Sequence, residues 1–385
     1  MKNVVFVTPD LKSGGSERAA ANLTYLLKDK CKIYYVVFDS DDISYDINAE
    51  LIDLNVPANP SVIRKIINTF RRAYGIRKVV KEKNIDTVVS FTSIANRAVR
   101  FANLKCRTIG ACRGFEHLKL HPDEYKKMLD SGAELLFNSK EAADFFEEKF
   151  GKQDKIFVIE NAIDFEKISK KSEEKIDEKF AEFFNSHRVI SNVGIFSRHK
   201  GHWDLLKSFE IIKEKIPDAG LVIVGHRGLL EDDIKDMVKR NKFADDILLV
   251  GYQENPFKFV KNSEVFALSS VSEGFPNVLL EAMAVETPCV ATACKTGPRE
   301  IMSDKNLGEI EDDFVITENG ILVPAFEEKP DFDYNNKNKK HQIFADAIIK
   351  MMSDDDLKKS CTAHAKERVK QNSFDAIGQM YFDYL

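Results

Sequence analysis

The chain has 385 residues, of which 43% are hydrophobic and 31% are charged, and its formal net charge is −5. This length is sufficient for two domains with separate cores, and the composition is that of a globular protein rather than a disordered one. The negative net charge argues against a protein that binds nucleic acid with its whole surface.

The six cysteines include no C-x-x-C pair. We therefore expect reduced thiols rather than a zinc site or a disulfide framework. Residues 1–7 enter a short strand that Pro9 and Asp10 interrupt, too early for a signal peptide. No segment has the length of a transmembrane helix. These features predict a cytoplasmic protein, whose expected contact with a membrane is peripheral, at the inner face.

Strand-like runs alternate with helical patterns in the first part of the chain. The runs are 4–8, 33–38, 51–54, 87–91, 108–112, 135–138 and 157–160. Such alternation is typical of βαβ units around a parallel sheet. It predicts an α/β domain over residues 1–165.

The segment 12–18, after the first strand, contains Gly14 and Gly15. A helix is expected from about Ser16. Glycines allow the backbone to approach a phosphate closely at a helix N-terminus. The alternative interpretation is an ordinary turn.

Residues 59–83 combine a basic composition with an apolar helical periodicity. The basic side chains are Arg64, Lys65, Arg71, Arg72, Arg77, Lys78, Lys81 and Lys83. We expect a solvated basic face, and replacing Arg71, Arg72, Arg77 and Lys78 by serine should change the thermal stability little. The apolar stripe consists of Val62, Ile63, Ile66, Ile67, Phe70, Ile76, Val79 and Val80. One interpretation is a surface helix packed on its own sheet. The other is a peripheral patch that binds an anionic membrane surface.

Arg113, Glu116 and His117 follow the strand that ends near Cys112. Ligands of open α/β sheets bind at the carboxyl ends of strands, so this loop is a candidate for the site. A single histidine is more often structural than catalytic, and both interpretations stay open for His117.

A charged helical stretch, 166–186, is expected to hold a linker before a second alternating series. Its strand-like runs are 189–196, 221–225, 247–251, 265–269, 289–293 and 321–323. They predict a second α/β domain over residues 187–371. Two such halves predict two Rossmann-like domains that face each other across a cleft.

Arg198 and Lys200 follow the first strand of the second series and precede a helix expected from about His202. Two cations beside the free N–H groups of a helix N-terminus favour a diphosphate. The alternative is a solvated basic loop.

Residues 265–284 have the pattern of a strand, a tight turn and a helix. The apolar run 265–268 ends at a Ser-, Glu-, Gly- and Pro-containing turn, and apolar residues recur at helical spacing over 279–283. Pro276 is expected in the first helical turn. Glu273 in the turn and Glu281 on the helix carry carboxylates, which bind neighbouring hydroxyls of a sugar or ribose.

The two acids, with the Gly-Phe-Pro between them and the Leu-Leu-Glu-Ala-Met that follows, resemble the E-x7-E motif of glycosyltransferase family 4, whose members are retaining enzymes with the GT-B fold. In that family the first Glu contacts the donor sugar and the second holds the donor ribose. The resemblance assigns these roles to Glu273 and Glu281. The candidates for catalysis are Glu273, Lys200, Arg198, His117 and Arg113.

The segments 12–18, 194–202, 225–228 and 251–252 also resemble family loops around the donor. The donor-binding residues implied are Gly14, Gly15, Arg198, Lys200, Gly225, His226, Arg227, Tyr252, Glu273, Gly274, Phe275, Pro276, Asn277, Val278, Leu279 and Glu281. The family's diphosphate-binding Arg falls on Ile195 here, and we expect Arg198 to compensate. In this fold the last helix, within 372–385, crosses back onto the first domain.

The resemblance implies a retaining hexosyltransferase. It would move a hexose or N-acetylhexosamine from a nucleotide diphosphate sugar, expected to be a UDP-sugar, to a glycan or lipid-linked glycan in cell-surface polysaccharide assembly. No other cofactor is expected. No Asp-x-Asp motif in a suitable context predicts a metal site, so we expect a metal-independent enzyme. The alternatives are a UDP-sugar epimerase of GT-B fold and a non-catalytic partner protein that binds nucleotide sugars.

Overall fold

The computed structural model describes residues 1–12 and 14–385. The chain divides into two compact units, Met1–Ala162 with Phe374–Leu385, and Ile163–Ser373. No helix of the described residues is long and apolar enough to span a membrane.

The first unit is built on a parallel sheet with, in the described residues, strand order β3-β2-β1-β4-β5-β6-β7. The strands are β1 (Lys2–Thr8), β2 (Cys31–Val37), β3 (Glu50–Asp53), β4 (Thr87–Ser90), β5 (Arg107–Cys112), β6 (Glu134–Phe137) and β7 (Ile156–Val158). Val4 of β1 lies opposite Ile33 on one side and Thr87 on the other. The central strands read as near-continuous apolar runs because helices cover both faces of the sheet.

In the described residues, helices lie between all consecutive strands of this unit except β2 and β3. They are α1 (Gly15–Leu26), α2 (Val62–Glu82), α3 (Ser93–Ala102), α4 (Phe115–Leu120), α5 (Pro122–Asp130) and α6 (Lys140–Phe150). Thr92 and Ser139 begin α3 and α6 as N-caps, since their hydroxyls accept from the N–H groups of Ala95 and Ala142.

The second unit has a sheet of the same plan, with strand order β10-β9-β8-β11-β12-β14-β13 in the described residues. Its strands are β8 (Arg188–Val193), β9 (Ala219–Val224), β10 (Ile247–Gly251), β11 (Val265–Leu268), β12 (Cys289–Thr292), β13 (Val315–Thr317) and β14 (Gly320–Val323). The sequence did not predict β13, which is three residues long and pairs antiparallel with β14 at the sheet edge.

The helices of the second unit cover both faces of its sheet. They are α7 (Phe165–Ser172), α8 (Glu178–Ser186), α9 (His202–Lys215), α10 (Glu231–Arg240), α11 (Phe257–Lys261), α12 (Asn277–Ala284), α13 (Pro298–Met302), α14 (Lys339–Ser353) and α15 (Asp355–Lys370). The segment 166–186, expected to hold the linker, forms most of α7 and α8 and is grouped with the second unit.

The last helix, α16 (Phe374–Tyr384), belongs to the first unit. Its Ile377 and Tyr381 are buried in the same cluster as Val4 and Phe6 of β1. The predicted α/β class, with two Rossmann-like domains and a C-terminal helix that returns to the first, is confirmed.

Helix α2 differs from its prediction in two ways. The apolar stripe is buried only in its C-terminal part, at Ile76 and Val79, whereas its N-terminal part is exposed. The expectation of a solvated basic face is wrong for Arg72, which is buried and donates two hydrogen bonds to the Val56 carbonyl at 2.8 and 3.1 Å. Arg77 also donates, to the Ala102 carbonyl at 2.8 Å.

Candidate active site

The candidate site of the second unit lies where its strand order reverses. Strands β8 and β11 are neighbours in the sheet, but the chain leaves them toward opposite sides. Loops that leave adjacent parallel strands in opposite directions open a crevice at the carboxyl edge, where α/β sheets bind ligands. Lys200 lies in the loop after β8 and Glu273 in the loop after β11.

The loop after β8 is pressed against the loop after β11. Gly201 has φ +59, and a Cβ at this position would overlap the carbonyl oxygen of Ser269, so the approach requires glycine. The Ser269 hydroxyl donates to the Lys200 carbonyl at 2.8 Å, and the Val271 N–H donates to the His199 carbonyl at 2.8 Å. These bonds fix the backbone that carries Lys200.

The Lys200 ammonium and the Glu273 carboxylate form an ion pair, with Nζ 2.7 Å from Oε1. The Ser270 hydroxyl donates to the same Oε1 at 2.6 Å. Both side chains are mostly buried, with 18% and 12% of their surface exposed. The described residues place no hydrogen-bond donor on Oε2, so this oxygen is available to the hydroxyl of a ligand.

The loop after β12 is hydrogen-bonded to the turn that contains Glu273. The Glu273 N–H donates to the Lys295 carbonyl at 3.2 Å, and the Thr296 N–H donates to the Glu273 carbonyl at 3.1 Å. The Thr296 hydroxyl donates to the Gly274 carbonyl at 2.7 Å. Sequence patterns alone do not assign a role to Ser270 or Thr296. Each follows the end of a buried strand, and this position is the signal that could have identified it.

Helix α12 begins at Asn277, and Pro276 is its N-cap rather than part of its first turn. The side chains of Phe275 and Leu279 are buried in the core, and the Leu279 N–H donates to the Pro276 carbonyl at 3.0 Å. These two residues therefore shape the site by packing. Glu281 is buried one helical turn after Asn277, on the same face of α12.

The loops after β9 and β10 form the neighbouring wall. A Cβ at Gly225 would overlap the Gly194 carbonyl oxygen, and the Phe196 N–H donates to the Arg227 carbonyl at 2.9 Å. The rings of His226 and Tyr252 have centroids 4.6 Å apart. Such a pair offers an aromatic surface on which a planar base can stack.

Arg198 forms a 3-10 turn with Lys200, and its side chain is exposed. Within the described residues it forms no ion pair. Ile195, at the position of the family's Arg, is also exposed. The compensating role of Arg198 stays a prediction.

His202, the first residue of α9, is a feature that the sequence analysis did not single out. It is almost completely buried, and neither ring nitrogen has a hydrogen-bond partner among the described residues. Burial, with a smaller effect of the Lys200 charge, lowers the pKa of His202 to about 3. The imidazole is therefore neutral at pH 7, and it adds no second positive charge next to Lys200.

Gly14 and Gly15 lie in the first unit, at the N-terminus of α1, while Ser13 lies outside the described residues. The Gly14 N–H donates to the Tyr45 hydroxyl at 3.3 Å. The Glu17 carboxylate folds back over Gly14, and its burial raises the pKa of Glu17. An anion at this helix N-terminus would therefore have to displace Glu17 or bind beside it.

Arg113 and His117 also lie in the first unit, and both have protein partners. The Arg113 guanidinium donates to the Asn161 side chain and, at 3.4 Å, to the Tyr381 hydroxyl of α16. His117 Nδ1 lies 3.3 Å from the Tyr125 hydroxyl, and burial lowers the pKa of His117. These contacts hold the two side chains in place within their own unit.

Residues 173–328 match the family model of glycosyl transferases group 1. The chain is 29% identical over 383 residues to N-acetylgalactosamine-N,N'-diacetylbacillosaminyl-diphospho-undecaprenol 4-alpha-N-acetylgalactosaminyltransferase of Campylobacter jejuni, covering 95% of this chain and 94% of the relative. It is 27% identical over 379 residues to an uncharacterized glycosyltransferase of Methanocaldococcus jannaschii, covering 91% and 92%. The chain is a homologue of glycosyltransferases.

Among solved structures, Anabaena HepE in complex with UDP and glucose has a TM-score of 0.75 to this chain at 14% identity, covering 99% of this chain and 98% of HepE. This likeness concerns the fold, which is of the GT-B class with two Rossmann-like domains. The matched segment 173–328 includes the loops that carry Lys200 and Glu273.

Proposed function

We propose that the protein is a metal-independent, retaining glycosyltransferase that transfers a hexose or N-acetylhexosamine from a UDP-sugar to a lipid-linked glycan. The observation that carries this proposal is the Lys200–Glu273 ion pair at the strand-order reversal of the second unit. The Lys200 ammonium is a partner for a diphosphate, and the Glu273 carboxylate is a partner for a sugar hydroxyl. The two groups are held in place and are hydrogen-bonded to each other.

Each group has a role that its contacts permit. The Lys200 ammonium carries three donors, so it keeps its bond to Glu273 while a second donor contacts a phosphate oxygen. Glu273 Oε2 accepts from a hydroxyl of the donor sugar. Glu281, on the buried face of α12, holds the ribose, and the His226–Tyr252 pair supports the base.

In the transfer step the acceptor hydroxyl oxygen forms a bond to C1 of the donor sugar on the face that the leaving group occupies. The bond between C1 and the diphosphate oxygen breaks, and the acceptor proton passes to that oxygen. Negative charge develops on the departing diphosphate. Lys200 and the N-terminus of α12 stabilise this charge, with Arg198 as a further candidate.

The names of similar proteins support the substrate classes. HepE was solved with UDP, and the Campylobacter jejuni relative is named for an acceptor on diphospho-undecaprenol. A lipid-linked acceptor fits these names better than a free sugar does.

A panel of UDP- and GDP-sugars tests the proposal in two stages. We expect one UDP-sugar to raise the melting temperature more than its GDP counterpart. That donor should then yield a glycoside of a lipid-linked glycan, with its anomeric configuration retained by NMR. Turnover of the donor without an acceptor would indicate an epimerase, and stabilisation without any product would indicate a non-catalytic binding protein. Either result contradicts the proposal.

A further inference from the structure

The N-terminal half of α2 presents an apolar surface that the described chain does not cover. Six side chains form it, and each is between 50% and 71% exposed; we call this surface the α2 ridge. They are Val62, Ile63, Ile66, Ile67, Phe70 and Tyr74. Their spacing of three and four residues places them along one side of the helix. Single exposed apolar residues are ordinary, but a contiguous row marks an interaction surface.

The orientation of α2 is fixed from its other side. Ala73, Ile76 and Val79 are buried in the core of the first unit, and Arg72 is bonded to the Val56 carbonyl and lies over the Phe38 ring at 4.5 Å. The helix therefore has two apolar faces, of which only one packs on the sheet. Rotating the helix to bury the ridge would expose the other face, so the ridge stays at the surface.

A row of cations borders the ridge. Arg64, Arg71 and Lys78 are spaced by seven residues, which places them on one line beside the exposed apolar side chains. No acidic side chain of the described residues pairs with Arg64 or Arg71, and Lys78 lies 3.8 Å from Glu82. Lys65 and Lys81 are exposed on the same helix. The protein as a whole has a net charge of −5, so this positive charge is local.

We propose that the α2 ridge inserts between the headgroups of an anionic phospholipid bilayer, with Arg64, Arg71 and Lys78 on the lipid phosphates. The positive charge beside the α2 ridge favours a bilayer over a second copy of the chain as the binding partner. In a two-fold interface the same cations would meet one another, and like charges oppose that contact. An anionic bilayer instead binds both kinds of side chain, because the apolar residues enter the boundary between headgroups and acyl chains while the cations contact the lipid phosphates. No residue of the candidate active site takes part.

Flotation tests the charge requirement. The purified protein is floated with vesicles of pure phosphatidylcholine and with vesicles of equal parts phosphatidylcholine and phosphatidylglycerol, without donor or acceptor. We expect binding only to the second kind, weakened by salt. Replacing Arg64 and Arg71 by serine should lower partitioning roughly tenfold or more, since each cation near the surface contributes about fivefold. The matched control, Lys127→Ser with Lys149→Ser, removes two exposed cations outside α2 and should bind as the wild type does.

A second measurement tests insertion of the apolar side chains. The single tryptophan, Trp203, is buried in the core of the second unit and gives a constant background. In Phe70→Trp the new indole should shift its emission to the blue with anionic vesicles, whereas Ile66→Ser with Phe70→Ser should lose binding at an unchanged melting temperature. Wild-type protein that fails to float at low salt, or an indole without a shift, would overturn the proposal. A concentration-dependent dimer that the same serine substitutions abolish would also overturn it.

Discussion

At the scale of single residues, contacts within the protein hold the Lys200–Glu273 pair in place. A buried cation or carboxylate alone is costly, and here each offsets the other while Ser270 adds a bond to the carboxylate. The aliphatic part of Lys200 lies over Gly194, with its Cδ 3.3 Å from the position of a Cβ there. Since the site holds its charges in place, little reorganisation is needed when a diphosphate arrives.

We expect Lys200→Ala and Glu281→Ala each to lower donor affinity or turnover by about tenfold or more, because each removes a charge-assisted hydrogen bond of roughly 1.5–3 kcal/mol. Donor binding by calorimetry and the initial transfer rate measure the two effects. Lys239→Ala, which removes an exposed cation on α10, is the matched control. Wild-type kinetics in both site variants, with the melting temperature unchanged, would contradict the assigned roles.

His202 couples stability to pH. Its folded-state pKa is about 3 against an ordinary value of 6.5, so between these pH values only the unfolded chain binds the proton. The unfolded state then holds more protons, so the free energy of unfolding increases with pH across this window. The contribution of His202 to stability is lost as the pH falls. By pH 5 the loss from this residue is about 2 kcal/mol.

We expect His202→Leu to abolish this part of the pH dependence. Urea denaturation of the wild type and the variant at several pH values between 5 and 8 gives the two profiles. The difference between the profiles isolates His202, since the other acidic and basic groups titrate in both proteins. Parallel profiles would show that the imidazole is not buried in its neutral form.

At the scale of elements, α2 contains two neighbouring arginines with opposite environments. Arg72 is buried and bonded to the Val56 carbonyl, whereas Arg71 is exposed. We expect Arg72→Ser to lower the free energy of unfolding by about 2–3 kcal/mol, because it leaves a carbonyl without its charged donor. Arg71→Ser should change it by less than about 0.5 kcal/mol. Thermal and urea unfolding compare the pair, and equal effects would refute this placement of the helix.

Short connections determine the geometry of the second unit's site. The loops after β8, β9, β11 and β12 contact one another through backbone atoms, at Gly201, Gly225 and the Glu273–Thr296 pair. Because these contacts use the backbone, the side chains of the same loops stay available for ligands. The close approach explains the glycines at 201 and 225, where a side chain would overlap the neighbouring backbone.

At the scale of the whole molecule, both units use one architectural plan. Each has a sheet with a parallel central part whose strand order reverses at one pair, β1 and β4 in the first unit and β8 and β11 in the second. In each unit the candidate residues lie at the carboxyl edge, either in the loop after a strand or in the helix that follows it. They are Gly14, Gly15, Arg113 and His117 in the first unit, and the Lys200–Glu273 group in the second. This sheet topology places the candidate polar side chains of each unit at the carboxyl edge of its sheet.

We expect transferase activity to persist in EDTA, because Lys200 and the N-terminus of α12 supply the positive charge that a metal would otherwise provide for the leaving diphosphate. The rate of product formation is compared before and after chelation and dialysis. A loss of activity that added magnesium or manganese restores would refute the metal-independent mechanism.

The sequence by itself determined the alternation of strands and helices and the loops that carry the chemistry. Apolar runs bounded by turn residues locate the strands to within a few residues, since periodicity is a local property. The position of Glu273, Lys200 and Arg113 after strand ends followed from the same patterns. A short antiparallel edge strand such as β13 gave no comparable signal, because its three residues are too few to show a period.

Only the tertiary structure decided which of these residues meet and which apolar residues are buried. Lys200 and Glu273 are 73 residues apart, and the sheet order brings β8 beside β11. The spacing of α2 could not distinguish its packed face from the exposed ridge, or Arg72 from Arg71, because both faces have helical periodicity. Burial depends on what packs against a face, and that is a property of the assembled sheet rather than of the segment.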